Sequence, residues 1–219
     1  MSASACFLRP LAFIVMLALG ACTVPSNEPA NLSQLKTKVG EYIDNGDYDK
    51  DVSQVAQTAK QWVEQRAARG GKLAVVFDID ETTLSNLPHL RREDWGYNPQ
   101  RWEAWVDQGS AHAIAPVREV YRAAIAKHVA VFFISGRRES GREATRLNLA
   151  HEGMQNYTAL IVRSNTGKES VADYKSSQRA RISGQGYTII ANVGDQFSDF
   201  AGTHSERDFK LPNPFYFIK

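Results

Sequence analysis

Short, almost continuously apolar runs alternate along this chain with stretches in which apolar residues return every three or four positions. The runs are Leu73–Phe77, Val129–Ile134, Ala159–Val162 and Thr188–Val193. Such runs read as strands buried on both faces, as in a parallel sheet covered by helices on each side. Before and between them, helical spacing predicts helices at Asn31–Asn45, carrying Leu32, Leu35, Val39 and Ile43, and at about Lys50–Arg69, carrying Val52, Val55, Ala56, Ala59, Trp62 and Val63. Further helices are predicted over Pro116–Lys127, about Glu139–Glu152 and from Val171 past Ile182. Gly46, Gly70-Gly71, Gly153 and Gly184 mark helix ends. Strand alternating with helix predicts an α/β fold. Phe215–Ile218 reads as a last strand at the sheet edge, and Trp62 as a core residue.

One stretch breaks the alternation. Ser85–Ala115 is rich in aromatic and polar residues, with His89, Trp95, Tyr97, Trp102, Trp105 and His112. Asn98-Pro99 can start a short helix that carries Trp102 and Trp105. A small helical insertion over about 85–115, directly after the first strand, is placed to cover the strand ends. Its tryptophans can pack with one face and line a pocket with the other. His89 and His112 lack ligand spacing and are not read as metal ligands.

The amino terminus stands apart. Arg9 precedes the apolar run Leu11–Leu19, which is too short to span a bilayer and fits a secretory signal. Leu19-Gly20-Ala21-Cys22 looks like a bacterial lipobox, in which cleavage precedes the Cys and the Cys carries lipid. The expected organisation is a signal peptide at 1–21, a Pro- and Ser-containing tether at 22–30 and one domain at 31–219. The expected location is that of an exported bacterial lipoprotein, in the outer membrane, at its periplasmic face or at the cell surface. Cys6 and Cys22 are the two cysteines, so the mature domain has no thiol for a disulfide and depends on its core. The 43% hydrophobic content supports a real core, and a net charge of +2 without a basic run argues against nucleic-acid binding.

The chemistry gathers at the strand ends. The first strand runs into Asp78-Ile79-Asp80-Glu81-Thr82, and alternate residues of an extended strand share a side. Two carboxylates held together repel unless they share a proton or a cation. Mg²⁺ takes oxygen ligands and commonly shares them with a substrate phosphate. The second strand ends in Ser135-Gly136-Arg137, where a hydroxyl, backbone amides and a nearby helix start suit phosphoryl oxygens. The fourth ends in Gly194-Asp195-Gln196-Phe197-Ser198-Asp199, whose Gly allows a close turn. Lys168 and Lys175 both stand near the start of the helix before it.

The pattern Asp-x-Asp-x-Thr after an apolar strand resembles the first motif of the haloacid-dehalogenase-like (HAD) superfamily. Asp78-Ile79-Asp80-Glu81-Thr82 resembles more narrowly its acid phosphatases, the bacterial class C lipoprotein enzymes and the plant acid phosphatase and storage-protein group. Ser135 holds the position of the second motif. Tyr174-Lys175-Ser176-Ser177-Gln178-Arg179 resembles the acid phosphatase form of the third, which favours Lys175 over Lys168. Gly194-Asp195 with Asp199 resembles the fourth. Thr83 and His89 depart from the class C pattern, and Gln196-Phe197 is nearer the plant form.

The resemblance implies a HAD-like Rossmannoid sheet with flanking helices and a cap after the first strand. It implies a Mg²⁺-dependent phosphomonoester hydrolase working through an aspartyl-phosphate. Asp78 would be the nucleophile and Asp80 the acid and base. Ser135, Gly136 and Lys175 would hold the phosphate. Asp78, the Asp80 carbonyl and Asp195 would hold the metal, with Asp199 in support. A phosphotransferase on the same site, and a non-catalytic storage or binding protein on the same fold, are the alternatives. Expected partners are a small phosphomonoester and a membrane reached through Cys22. A homodimer is compatible with the sequence, and nucleic acid is not expected.

Overall fold

Every residue of the first strand is buried, and the chain builds outward from it on both sides. The structure, a computed structural model, describes residues 27–218. The signal, the lipobox and most of the tether therefore lie outside the described residues. The chain divides into two compact units, 1–31 and 32–219; the second carries everything below. In chain order its elements are α1 (Leu32–Asp44), α2 (Asp47–Ala67), β1 (Leu73–Phe77), β2 (Leu84–Ser85), α3 (Leu87–Arg92), α4 (Pro99–Gln108), β3 (His112–Ala113), α5 (Ala115–Ala126), β4 (Ala130–Arg138), α6 (Arg142–His151), β5 (Ala159–Arg163), α7 (Val171–Gly184), β6 (Thr188–Gly194) and β7 (Asp208–Lys210). Among the described residues no helix is long and apolar enough to cross a membrane.

The sheet has five strands in the order β5-β4-β1-β6-β7, and all pairings are parallel. The chain leaves β1 toward β4 and β5, then returns to the other side of β1 for β6. That reversal makes a crevice at the carboxyl end of β1, where ligands bind in open α/β sheets. Phe77 is level with Phe133 of β4 and Val193 of β6. Asp78, Ser135 and Asp195 therefore follow at one edge.

Alternation along β1 sorts the core. Leu73, Val75 and Phe77 pack with Val52, Ala56, Ala59 and Val63 of α2 and Val117, Val120 and Ala124 of α5. Ala74 and Val76 pack on the opposite side with Tyr174 and Ile182 of α7. Trp62, half-buried against the larger cluster, also donates from Nε1 to the Ile190 carbonyl at 2.7 Å.

Two expectations are corrected. Phe215–Ile218 is not a strand; the edge strand is β7. The amides of Phe215 and Ile218 donate to Asn213 Oδ1 at 2.8 Å and Gln196 Oε1 at 3.0 Å rather than to a ladder, and the Phe215 ring inserts between others, 5.3 Å from Tyr48 and stacked 5.5 Å from Trp95. The second strand does not stop at Ile134. It continues to Arg138, with a register shift against β5 between Ser135 and Arg138. The insertion leaves and re-enters through a two-stranded antiparallel ribbon, Leu84 opposite Ala113 and Ser85 opposite His112. Strands of two residues leave no periodic signal, so the ribbon is invisible to the pattern.

Candidate active site

The chain does not stay extended after β1. The amides of Thr83 and Leu84 donate to the Ile79 carbonyl at 2.9 and 2.8 Å, and Glu81 takes a left-handed φ of 55°. This tight turn sends Asp78 and Asp80 to different partners, although both line one cavity of about 790 Å³. The shared side expected of an extended strand is thus replaced by a turn.

Asp78 is buried beside Lys175, whose Nζ donates to Asp78 Oδ1 and, at 2.5 Å, to Asp199 Oδ1. Lys168 is exposed in the loop before α7. Asp199 is fixed by a capping arrangement in which the Gln196 amide donates to its Oδ2 at 2.8 Å. Gly194 makes room for it: a Cβ at that position would lie 2.6 Å from Asp199 Cβ and 2.7 Å from its Cγ. Asp195 accepts from Thr82 Oγ1 at 2.8 Å, Gln196 Nε2 at 2.8 Å and Asn213 Nδ2 at 2.6 Å.

Asp78, Asp195 and Asp199 each bring a carboxylate oxygen within 4.8 Å of the others. Three buried carboxylates face one ammonium, which leaves two negative charges uncompensated. Burial pushes the carboxyls of Asp78 and Asp195 up, and Asp199 adds to both, while Lys175 partly offsets the rise. Burial alone pulls Lys175 down, but Asp199 and Asp78 more than reverse it and hold it as ammonium. An oxygen-only donor set with a deficit of two charges fits a divalent hard cation.

Asp80 faces Arg137. Arg137 donates from Nε to Oδ1 and Oδ2 at 3.0 and 3.2 Å and from Nη2 to Oδ1 at 2.7 Å. Asn86 Nδ2 donates to the same Oδ1 at 2.9 Å. Arg137 is itself held by Thr145 Oγ1 at 2.9 Å, and Asn86 by Trp105 Nε1 at 2.8 Å. Behind them Glu81, fully buried, accepts from the Asn86 amide at 2.6 Å and from the Tyr216 hydroxyl at 2.7 Å. Burial, then Asp80 and Asp195, push the Glu81 carboxyl up to about 8.

Gly136 and Lys175 line the cavity. Ser135 is fully buried behind Gly136, and its hydroxyl accepts from the Arg137 amide at 3.1 Å. From the insertion, His89, Trp95, Tyr97 and Trp102 complete the wall. His89 is stacked 5.7 Å from Trp105, and burial lowers its pKa, so it packs as a neutral ring. Sequence reasoning missed Asn86, Glu81 and Tyr216. It took Arg137 only as a basic neighbour of Ser135. The spacing of these residues carries no local signal, because each partner comes from a different element.

A family model described as HAD superfamily, subfamily IIIB (acid phosphatase), matches residues 19–219. Acid phosphatase 1 of Solanum lycopersicum is 33% identical over 204 residues, covering 87% of this chain and 80% of that protein. The stem 28 kDa glycoprotein of Glycine max is 32% identical, covering 82% of this chain and 73% of that protein. The solved structure of a class C acid phosphatase from Bacillus anthracis superposes with a TM-score of 0.72 at 24% identity, covering 84% of this chain and 85% of that one. At that identity the superposition speaks for the fold alone.

Proposed function

The chain belongs to subfamily IIIB of the HAD superfamily, the acid phosphatases, and from that premise we propose how its residues share the work of phosphomonoester hydrolysis. The observation that carries the reading is that one cavity brings Asp78, Asp80, Gly136 and Lys175 together beside Asp195 and Asp199.

Asp78 is the nucleophile. Lys175 engages its Oδ1, which leaves Oδ2 to attack phosphorus in line with the leaving oxygen. The P–O bond to the alcohol breaks as the aspartyl-phosphate forms, and Asp80 delivers a proton to the departing oxygen. Asp80 then takes a proton from the water that attacks phosphorus, which releases inorganic phosphate and regenerates Asp78. Arg137 and Asn86 hold Asp80 at Oδ1, so its orientation survives both steps. Lys175 offsets charge on the transferring group, and Asp199 positions Lys175. The Gly136 amide and the Ser135 hydroxyl proton complete the phosphate cradle. A divalent cation, Mg²⁺ in this reading, held by Asp78, the Asp80 carbonyl and Asp195, supplies further neutralisation of phosphoryl charge when bound.

Asp80→Asn tests the acid role. Loss of a general acid slows turnover by about 10²–10⁴. Alkyl phosphates, with poor leaving groups, suffer most, and p-nitrophenyl phosphate least. Equal losses across leaving groups in steady-state kinetics count against Asp80 as the proton donor.

We also propose export and anchoring through Cys22, on the strength of the apolar run Leu11–Leu19 and the Leu19-Gly20-Ala21-Cys22 motif. Mass spectrometry of the mature protein then finds an acylated Cys22 at the amino terminus. A terminus at any other residue ends this reading.

A further inference from the structure

We propose that Arg138 and Arg163 form a second anion subsite in the catalytic cavity and that it takes the distal phosphate of a bisphosphorylated substrate. The inference rests on the phosphatase reading above and narrows it to a substrate class. The two arginines are register partners at the carboxyl ends of β4 and β5, and both line the cavity that holds Asp78, Asp80 and Lys175. Three strand positions separate Ser135 from Arg138, at most about 10 Å. A hexose phosphorylated at both ends bridges such a gap.

Adjacent guanidiniums repel, and each needs a counter-charge. Neither forms an ion pair with a carboxylate among the described residues. Glu139, next in sequence, is taken by Arg142 at 2.5 and 2.7 Å. Glu169 gives Arg163 its backbone carbonyl, and its carboxylate attracts Arg163 only through space. Burial, and then Arg138, push the Arg163 guanidinium down. Arg138 Nη1 donates to the Ser164 and Gly167 carbonyls at 2.8 and 2.9 Å. Each arginine therefore uses one nitrogen to hold the 164–169 loop and keeps the rest. Arg163 is 8% exposed, and its Nε has no acceptor. Loop tethering explains the used nitrogens. It does not explain why two cations stand side by side on the cavity wall without a carboxylate partner. A phosphate seated against the cavity-facing edges of both guanidiniums, with the Ser140 hydroxyl on the same wall, supplies the missing counter-charge.

The test compares kcat/KM for fructose 1,6-bisphosphate and fructose 6-phosphate, with p-nitrophenyl phosphate as a third substrate. The enzymes are wild type, R163K, R138Q and the double variant R138Q/R163Q. The expected wild-type preference for the bisphosphate is about tenfold or more, carried by KM. It falls toward one in the double variant and is largely retained in R163K, which keeps the charge. A disturbed loop acts through Lys175 and lowers kcat for both sugars, whereas loss of the subsite raises KM for the bisphosphate alone. If the double variant does not fold, R138Q gives the same readout. A wild-type ratio near one, or one unchanged in R138Q and in the double variant, overturns the subsite while leaving the phosphatase intact. No phosphate release from any of the three substrates overturns both.

Discussion

Asp78→Asn lowers hydrolysis of p-nitrophenyl phosphate by about four orders of magnitude or more, on the scale seen when a nucleophile is removed, and leaves the fold in place. Breaking a buried ion pair ordinarily costs about 3–5 kcal/mol, because one charge is left unpaired. Here that penalty is avoided. Lys175 keeps Asp199 at 2.5 Å, and the carboxylate removed belongs to a group with two negative charges in excess. Amide for carboxylate also preserves side-chain volume. Circular dichroism and the metal-free thermal midpoint therefore stay near those of wild type while activity vanishes. Turnover within tenfold of wild type removes Asp78 as nucleophile, and a collapsed midpoint makes its role structural.

In the metal-free protein the thermal midpoint falls as pH rises from about 5 to 8, and Mg²⁺ restores it. The sign follows from the carboxyls whose pKa the fold raises. Burial holds Glu81 at about 8 against an ordinary 4.5, and also raises Asp78 and Asp195. The native state then binds these protons more tightly than the unfolded chain does. The stability they contribute is present below the unfolded pKa and is lost as pH climbs through the folded one. For Glu81 the window runs from 4.5 to about 8. The loss is on the order of 3 kcal/mol at 1.36 kcal/mol per unit, discounted for relaxation. In a domain of this size it lowers the midpoint by about 6–12 °C. A cation beside Asp78 and Asp195 removes the repulsion behind part of that rise. At about one hundred times its Kd it adds about 2.7 kcal/mol. Chelation with EDTA abolishes activity in the same samples. Differential scanning calorimetry across pH, with and without Mg²⁺, reads both effects. A metal-free midpoint that climbs over this range contradicts the burial argument, and full activity after exhaustive chelation removes the metal from the reaction.

Much of this was legible in advance where local pattern and tertiary fate coincide. Leu73–Phe77 is a strand to the residue because a strand buried on both faces must be apolar throughout. The prediction for α2 began about three residues late. Gly46 at φ 80° permits a start at Asp47, and Asp47 and Asp49 favour the first turn. The pattern at Phe215–Ile218 misleads, since one aromatic buried between rings, Phe215, beside an exposed one, Phe217, looks like the alternation of an edge strand. Resemblance alone favours Lys175 over Lys168. Its burial against Asp78 and Asp199 now gives the physical reason.

By itself the sequence determined four of the five strands of the main sheet, their helical wrapping and the three acidic or polar tips that a parallel sheet delivers to one edge. These depend on periodicity within a few residues. Tertiary structure alone decided what each tip touches. Arg137 holds Asp80 across 57 positions of chain, and Tyr216 reaches Glu81 across 135. Such pairs form because folding removes water and forces each buried charge or donor to find a partner, and that choice depends on geometry no local pattern encodes.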